Sequence, residues 1–172
     1  KAEKCGVRIE FDFDCKTADV FYGLYLKMVE KNSVETSSIL SRRYIETTFE
    51  KCRGQIIIIN GIVEGHIASS GVFLRSAEYL HYHLCGNDPA YFGLDVNALI
   101  TFHACRWGKE QGKRTLHIGS APDEGLFRYK KLFTRKGFYD YFSGKRIHLP
   151  AVYDKLVEMK GGAGTSYFPE YR

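Results

Sequence analysis

The chain has 172 residues, 44% of them apolar, 15% aromatic and 26% charged, which supplies the core of one domain and excludes a disordered tract. A net charge of +5 favours anionic partners without identifying them. No apolar run approaches the ~20 residues of a membrane helix, and Lys1 to Glu10 lacks the apolar stretch of a secretory signal.

Taken in chain order, Val7 to Phe13 alternates apolar and polar residues over the length of a strand. Thr17 to Lys31 reads as a helix, with Val20, Phe21, Leu24, Met28 and Val29 at helical spacing behind a Thr17 N-cap. Ser38 to Lys51 reads as a second helix, with Leu40, Tyr44, Ile45 and Phe49 inward and Gly54 at its end. Gln55 to Asn60 is a β-branched strand running into Asn60-Gly61, the strongest short hairpin signal. Val63 to Leu74 follows as a strand with a bend near Ser69, Ser70 and Gly71, and Arg75 to Ala77 turns the chain into the strand Glu78 to Leu84.

Cys85 to Gly93 is expected as a loop, Leu94 to Gln111 as a helix stopped by Gly112, and Thr115 to Ile118 as a short strand ending at Gly119 and Ser120. Gly125 to Lys136 reads as a helix closed by Gly137, Phe138 to Leu149 as a strand, and Pro150 to Met159 as a last helix before a loose tail over residues 161–172. This order implies an α/β (α+β) fold, a mixed and mostly antiparallel sheet with helices on both faces, in one domain over residues 1–160. Cys5, Cys15, Cys52, Cys85 and Cys105 are odd in number, widely spaced and without a C-x-x-C pair. They read as the reduced thiols of a cytoplasmic protein rather than a metal ribbon or disulfide framework.

Three stretches in sequence narrow the fold further. Leu84 to Phe92 (LCGNDPAYF) resembles the Ser-Gly-x-Asp-x-x-Tyr loop of the Fem-like (FemABX) transferases of the GNAT superfamily. Asn97 to Gly119 is similar to their helix, whose Trp-Ala-Lys-Glu-like run ends at Gly and leads into a strand closed by Gly. Gly125 to Phe133 (GLFRYKKLF) resembles their Gly-Leu-Tyr-Arg-Phe-Lys-Arg-Gly-Phe segment. The element order itself is similar to the GNAT acyl-CoA N-acyltransferase fold. The resemblance implies an acyltransferase that moves an aminoacyl or acyl group to an amine acceptor. In the Fem family the donor is aminoacyl-tRNA, the acceptor a peptidoglycan precursor, and the protein a pair of GNAT-like domains. This chain resembles the C-terminal one, and its start at Lys1 agrees with an upstream domain.

The resemblance points to Lys130 as the catalytic cation. Acyl transfer develops negative charge on the carbonyl oxygen, and loss of one fixed donor there costs about 10²–10³ in rate. Arg128 and Lys131 are candidates for the phosphates of tRNA or coenzyme A, Arg through its planar fork of donors. Tyr129 and Tyr91, with Tyr82 and Phe92, are candidates for stacking on a base. Gly86 and Asn87, before the long helix, are candidates for an anion site at its N-terminus. Gly119 and Ser120 are placed in donor binding. The alternative for the basic residues, Arg135 and Lys136 included, is a solvated helix face.

The acetyl-CoA branch has two marks that this sequence lacks. Its Arg/Gln-x-x-Gly-x-Gly/Ala loop is replaced by NDPAYFG from Asn87 to Gly93, and Phe133 stands in place of its Tyr in Tyr-x-x-x-Gly-Phe. Leu132 and Thr134 replace glycines of the Fem-like pattern. His81 and His83 alternate on a strand, share a face and are of a type that ligates metal or acts as a base. No third ligand has supportive spacing, so no metal site is expected, and His117 is a further candidate base. Two other readings stay open: an acyl-CoA-dependent GNAT acyltransferase, and a non-catalytic module that binds RNA or a nucleotide through its basic helix.

Overall fold

The computed structural model describes residues 1–32, 39–121, 123–134, 136–162 and 168–171. The chain divides into two compact units, Lys1–Arg135 and Lys136–Arg172. The first is built on five strands in sequential order: β1 (Arg8–Asp12), β2 (Ile56–Val63), β3 (His66–Arg75), β4 (Tyr79–Asn87) and β5 (Thr115–His117). The first four pair antiparallel and β5 joins β4 in parallel. Helices α1 (Ala18–Lys31) and α2 (Arg42–Lys51) join β1 to β2, α3 (Val96–Glu110) makes the β4–β5 crossover, and α4 (Glu124–Lys131) follows β5. Ser38, where the second helix is predicted to begin, lies outside the described residues. The helix starts at Arg42, with Ser41 as N-cap accepting from the Tyr44 N–H at 3.2 Å.

Every residue of β2 is buried, because helices cover both faces of the sheet and leave no solvent side to alternate with. Its isoleucines divide by the period of a strand. Ile56 and Ile58, with Val72, meet Phe21, Tyr25, Val29, Ile45 and Phe49 of α1 and α2. Ile57 and Ile59, with Phe73 and Leu80, meet Leu99, Ile100 and Ala104 of α3.

Asn60-Gly61 does not turn the chain, contrary to its hairpin signal. Both residues lie inside β2 opposite Ser70 and Ser69. The buried Asn60 accepts from Ser70 Oγ at 2.5 Å and donates through Nδ2 to Thr17 Oγ1 at 2.9 Å, which ties β2 and β3 to the start of α1. Gly61 serves the close approach of α3, since a Cβ there would overlap the Val96 side chain. The hairpin turns instead at Glu64-Gly65, whose φ values of 48° and 84° are those a two-residue turn of primed type requires.

Two other expectations change. The predicted loop from Cys85 begins as strand, because Cys85, Gly86 and Asn87 pair with Gly71, Ser70 and Ser69 of β3. A short 3-10 helix, Pro89–Leu94, then leads to α3, its N-cap Asp88 accepting from the Ala90 N–H. The strand predicted over Phe138 to Leu149 does not form: the aromatic run has strand propensity, but that propensity is realised only against packed neighbours. Tyr139, Tyr141 and Phe142 are largely exposed. The second unit holds α5 (Pro150–Met159), whose Tyr153 stacks on Phe168 with centroids 5.9 Å apart and accepts from the Glu170 N–H at 3.1 Å. Of the predicted tail, residues 163–167 and Arg172 lie outside the described residues. Among the described residues, no helix is long and apolar enough to cross a membrane.

Candidate functional site

The parallel β4–β5 pair ends almost as soon as it begins. Tyr79, Leu80 and His81 stand opposite Thr115, Leu116 and His117, and the shared rungs bury Leu80 in the α3-side core. Beyond His81, β4 runs on to Asn87 held by β3 alone, while Gly119, at φ +73°, redirects the chain leaving β5. An extra residue in β4, His83, falls between the pairs Phe73–Tyr82 and Val72–Leu84, and such a bulge sharpens the local twist. β5 ends at His117, and β4 continues past it with that edge unpaired among the described residues, leaving a notch.

Lys130 reaches this notch from α4. That helix is started by Asp123, whose side chain accepts from the Leu126 N–H at 2.8 Å. The Lys130 ammonium donates to the Ser120 carbonyl at 2.6 Å and touches Gly119, where an added Cβ would lie 3.4 Å from Nζ. Burial makes this lysine easier to deprotonate than usual. A cation held at the parting of two strands, with one edge of β4 unpaired among the described residues, is placed to meet a developing negative charge.

A polar chain runs along the α3 side of the same region. Ser69 Oγ donates to Asn87 Oδ1 at 2.6 Å. Tyr82 donates to Asn97 Oδ1 of α3, and Asn97 Nδ2 donates to the Tyr129 hydroxyl at 3.3 Å. Tyr129 also bonds the Thr101 side chain. Burial pushes the Tyr82 hydroxyl far above its ordinary pKa and raises those of Tyr129 and Cys85, so all three are neutral at pH 7. Beside this chain lies a cavity of about 220 Å³ lined by Ser69, Asn87, Tyr91, Asn97 and Tyr129 among others.

The residues singled out from sequence thus fall into two groups. Lys130, Gly119 and Ser120 meet at the notch, and Tyr129, Asn87 and Tyr91 line the adjoining cavity. Gly86, Arg128 and Lys131 are placed elsewhere. Gly86 faces α1, where a Cβ would come within 2.5 Å of the Tyr25 backbone nitrogen, so it seats a helix rather than an anion. Arg128 is exposed and paired with Glu124 at 3.2 Å. Lys131, also exposed, lies over the Phe127 ring at 5.6 Å. Arg135 lies outside the described residues.

The N-terminus of α3 carries carboxylates. Asp95 caps it in the left-handed conformation with no side-chain cap bond, pairing with Lys1 at 3.2 Å, and Asp88 pairs with Lys27. His81 and His83 hold their rings 5.9 Å apart, but the nearer partner of His81 is His117. Those two rings stack at 4.8 Å, and their Nδ1 atoms lie 2.7 Å apart. Among the described residues, no group of three His, Cys, Asp or Glu side chains is arranged to hold a metal.

Residues 1–131 match the family described as the Acetyltransferase (GNAT) domain, a span that lies within the first unit. No curated protein matches the chain. Among solved structures, it is similar to an aminoglycoside acetyltransferase from an uncultured soil metagenomic sample, in complex with sisomicin (TM-score 0.60, 8% identity, covering 85% of this chain and 100% of that one). It is also similar to aminoglycoside N-acetyltransferase AAC(6')-Iy in complex with CoA (TM-score 0.58, 10% identity, 82% and 95%). A third is glucosamine-6-phosphate N-acetyltransferase from Arabidopsis thaliana (TM-score 0.53, 14% identity, 80% and 99%). At such identities the likeness is one of fold.

Proposed function

Since the chain belongs to the acetyltransferase (GNAT) family, we propose that it is an N-acyltransferase moving an acyl group from an acyl-CoA thioester to an amine. The edge of β4 left unpaired past the end of β5, with the Lys130 ammonium held beside it at Ser120, carries this reading. In the reaction the amine nitrogen attacks the thioester carbonyl carbon and its electrons pass to oxygen. The C–S bond then breaks and the thiolate leaves with the electron pair. Lys130 supports the oxyanion, and the unpaired edge of β4 offers backbone donors and acceptors to an extended arm bearing amides. The fold neighbours include enzymes solved with CoA and with sisomicin, an amine-bearing ligand. The test is release of free thiol from acetyl-CoA in the presence of sisomicin and simpler amines. Amine-dependent release is expected, and none at millimolar thioester across a series of acyl chains would overturn the reading.

One observation favours a second, Fem-like reading, in which the donor is aminoacyl-tRNA, the acceptor a peptidoglycan precursor, and an upstream GNAT-like domain helps to hold it. Asp95 caps α3, and Asp88 caps the short 3-10 helix that leads to it, so each helix start carries a carboxylate where an anion would otherwise sit. Carboxylates there oppose a coenzyme A diphosphate at that helix end, whereas the Fem-like reading needs no diphosphate there. Transfer of a labelled amino acid from charged tRNA to a precursor peptide, with acetyl-CoA inert, would decide for it. Steeply salt-dependent RNA binding without acyl product would instead identify a binding module. Five unpaired thiols suit a cytoplasmic setting for any of these.

A further inference from the structure

His81 and His117 lie 36 residues apart in sequence, and the parallel register alone makes them the last rung before β4 and β5 separate. Their Nδ1 atoms are 2.7 Å apart. Two ring nitrogens on one tetrahedral zinc, each at about 2.0–2.1 Å from it, would stand about 3.3 Å apart, so the observed spacing is that of a hydrogen bond and leaves no room for an ion. One proton fits between the two nitrogens. In the neutral pair, one ring donates its Nδ1–H and keeps a free Nε2 lone pair, while the other accepts and carries its proton on Nε2.

Resting on the N-acyltransferase reading above, we propose that the His81–His117 pair is the base that removes the proton from the attacking amine. As the N–C bond forms, the nitrogen becomes acidic. Its N–H bond breaks, and the proton goes to the free Nε2 of the pair while the electron pair stays on nitrogen. The protonated ring then donates its Nδ1–H to its neighbour in a charge-assisted bond, which is stronger than the neutral one. The proton is later given up to the departing thiolate or to water. A second proton would set two imidazolium rings in contact, so the pair takes up one charge and titrates as a unit.

The surroundings keep the pair ready to accept. Burial, together with His117, His83 on β4 and Lys130 on α4, holds His81 below the ordinary histidine range, so it is neutral at pH 7. From β3, the residue opposite His81 is Leu74, which is apolar. The same cation that would support the oxyanion thus adds, after burial and the two neighbouring histidines, to what keeps His81 neutral, and the pair and Lys130 flank the same turn out of β5. His81 is half-buried while His117 is exposed, so a proton received inside has a route to solvent.

The test uses the full chain with acetyl-CoA and sisomicin, and His81→Asn and His81→Gln variants whose folding is checked by circular dichroism. Wild-type kcat/KM should fall with a one-proton slope as pH drops below about 6.5. The variants should lose about 10²–10⁴ in rate, lose that acid limb, and regain rate in proportion to added imidazole, which a merely structural histidine would not produce. Imidazole ¹⁵N spectra of the unliganded protein give a reading independent of turnover: one Nδ1–H should be shared between His81 and His117, with a ¹⁵N–¹⁵N coupling across the hydrogen bond. Absence of any coupling between the two Nδ1 atoms would overturn the pair. Variants with wild-type rate and an intact acid limb would overturn the base while the transferase stands. A wild-type chain inert toward every acyl-CoA would overturn the transferase reading, and the base with it.

Discussion

β2 and β3 pair from Ile56 opposite Leu74 to Val63 opposite His66, interrupted only by a bulge at Ala68, and every residue of β2 is buried. β4 and β5 share only the stretch from Tyr79–Thr115 to His81–His117, and then separate. The first pair commits most of its side chains to two cores, and only the far end of β3, at Ala68 and Ser69, reaches the cavity. In the second, the short rung region does the structural task by burying Leu80 and partly burying Leu116, and the rest of β4 keeps one edge unpaired among the described residues. Polar residues gather where the ladder stops: Cys85, Asn87, Tyr82, Lys130 and the two histidines. Stability is thus concentrated in the middle of the sheet, and the proposed chemistry at its β5 side.

The strongest test of that division is Lys130→Ala. Its ammonium is held by the Ser120 carbonyl and contributes little to either core. The substitution should lower kcat/KM about 10²–10³-fold, or about 2.7–4 kcal/mol, while moving folding stability by less than about 0.5 kcal/mol. A variant that keeps its rate would remove the lysine from the mechanism. The pH profile sharpens the point. Burial lowers the Lys130 pKa, so the cation is lost, and the rate with it, before an ordinary lysine titrates near 10.4. Lys130→Arg should abolish that basic limb even if it turns over slowly.

Gly86→Ala should produce the converse. The new methyl would meet the backbone of Leu24 and Tyr25 of α1, and backbone yields less readily than a side chain. A loss of about 1–3 kcal/mol is expected, with the melting temperature lower by about 2–4 °C per kcal/mol for a chain of this size. Gly93→Ala, with open space around the new Cβ, is the control. If both alanine variants melted alike, the seating of α1 on β4 would not be as tight as the coordinates have it.

How much of this was legible in the residues depends on range. α1, α3 and the buried β2 announce themselves through local period and composition, and the GNAT-like order follows from their succession. Asn60-Gly61 misleads because a turn dipeptide and a buried bridge look alike until Ser70 and Thr17 arrive from other elements. Cys85 to Asn87 look like loop, since small and polar residues become strand only when β3 offers a partner. The run from Phe138 to Leu149 errs the other way, with strand propensity but no ladder. At the site, the Fem-like segment singled out Lys130, Tyr129 and the Gly119-Ser120 corner. Asn97 and Thr101 give no signal in the sequence, because single polar residues one turn apart on an amphipathic helix read as part of its solvated face. The pairing of His81 with His117 needs a parallel register that no local pattern encodes. A β-α-β crossover with a histidine in each strand is the one signal that could have suggested it.

Arg128 and Lys131 give the smallest expected effect and the cleanest separation between catalysis by one lysine and binding by a basic face. Arg128 forms an i,i+4 pair with Glu124 on the exposed side of α4, worth about 0.3–0.5 kcal/mol, and Lys131 covers the Phe127 ring. If the chemistry belongs to the notch, Arg128→Ala and Lys131→Ala should each shift stability by less than about 0.5 kcal/mol and leave kcat/KM nearly unchanged. If the helix instead grips the phosphates of a donor, each substitution should remove about one unit from the slope of log affinity against log salt and raise KM without altering kcat. Measuring KM and kcat at two ionic strengths for Arg128→Ala, Lys131→Ala and Lys130→Ala distinguishes the outcomes. A helix that holds phosphate makes the three variants alike in KM, whereas a notch that stabilises an oxyanion sets Lys130 apart in kcat.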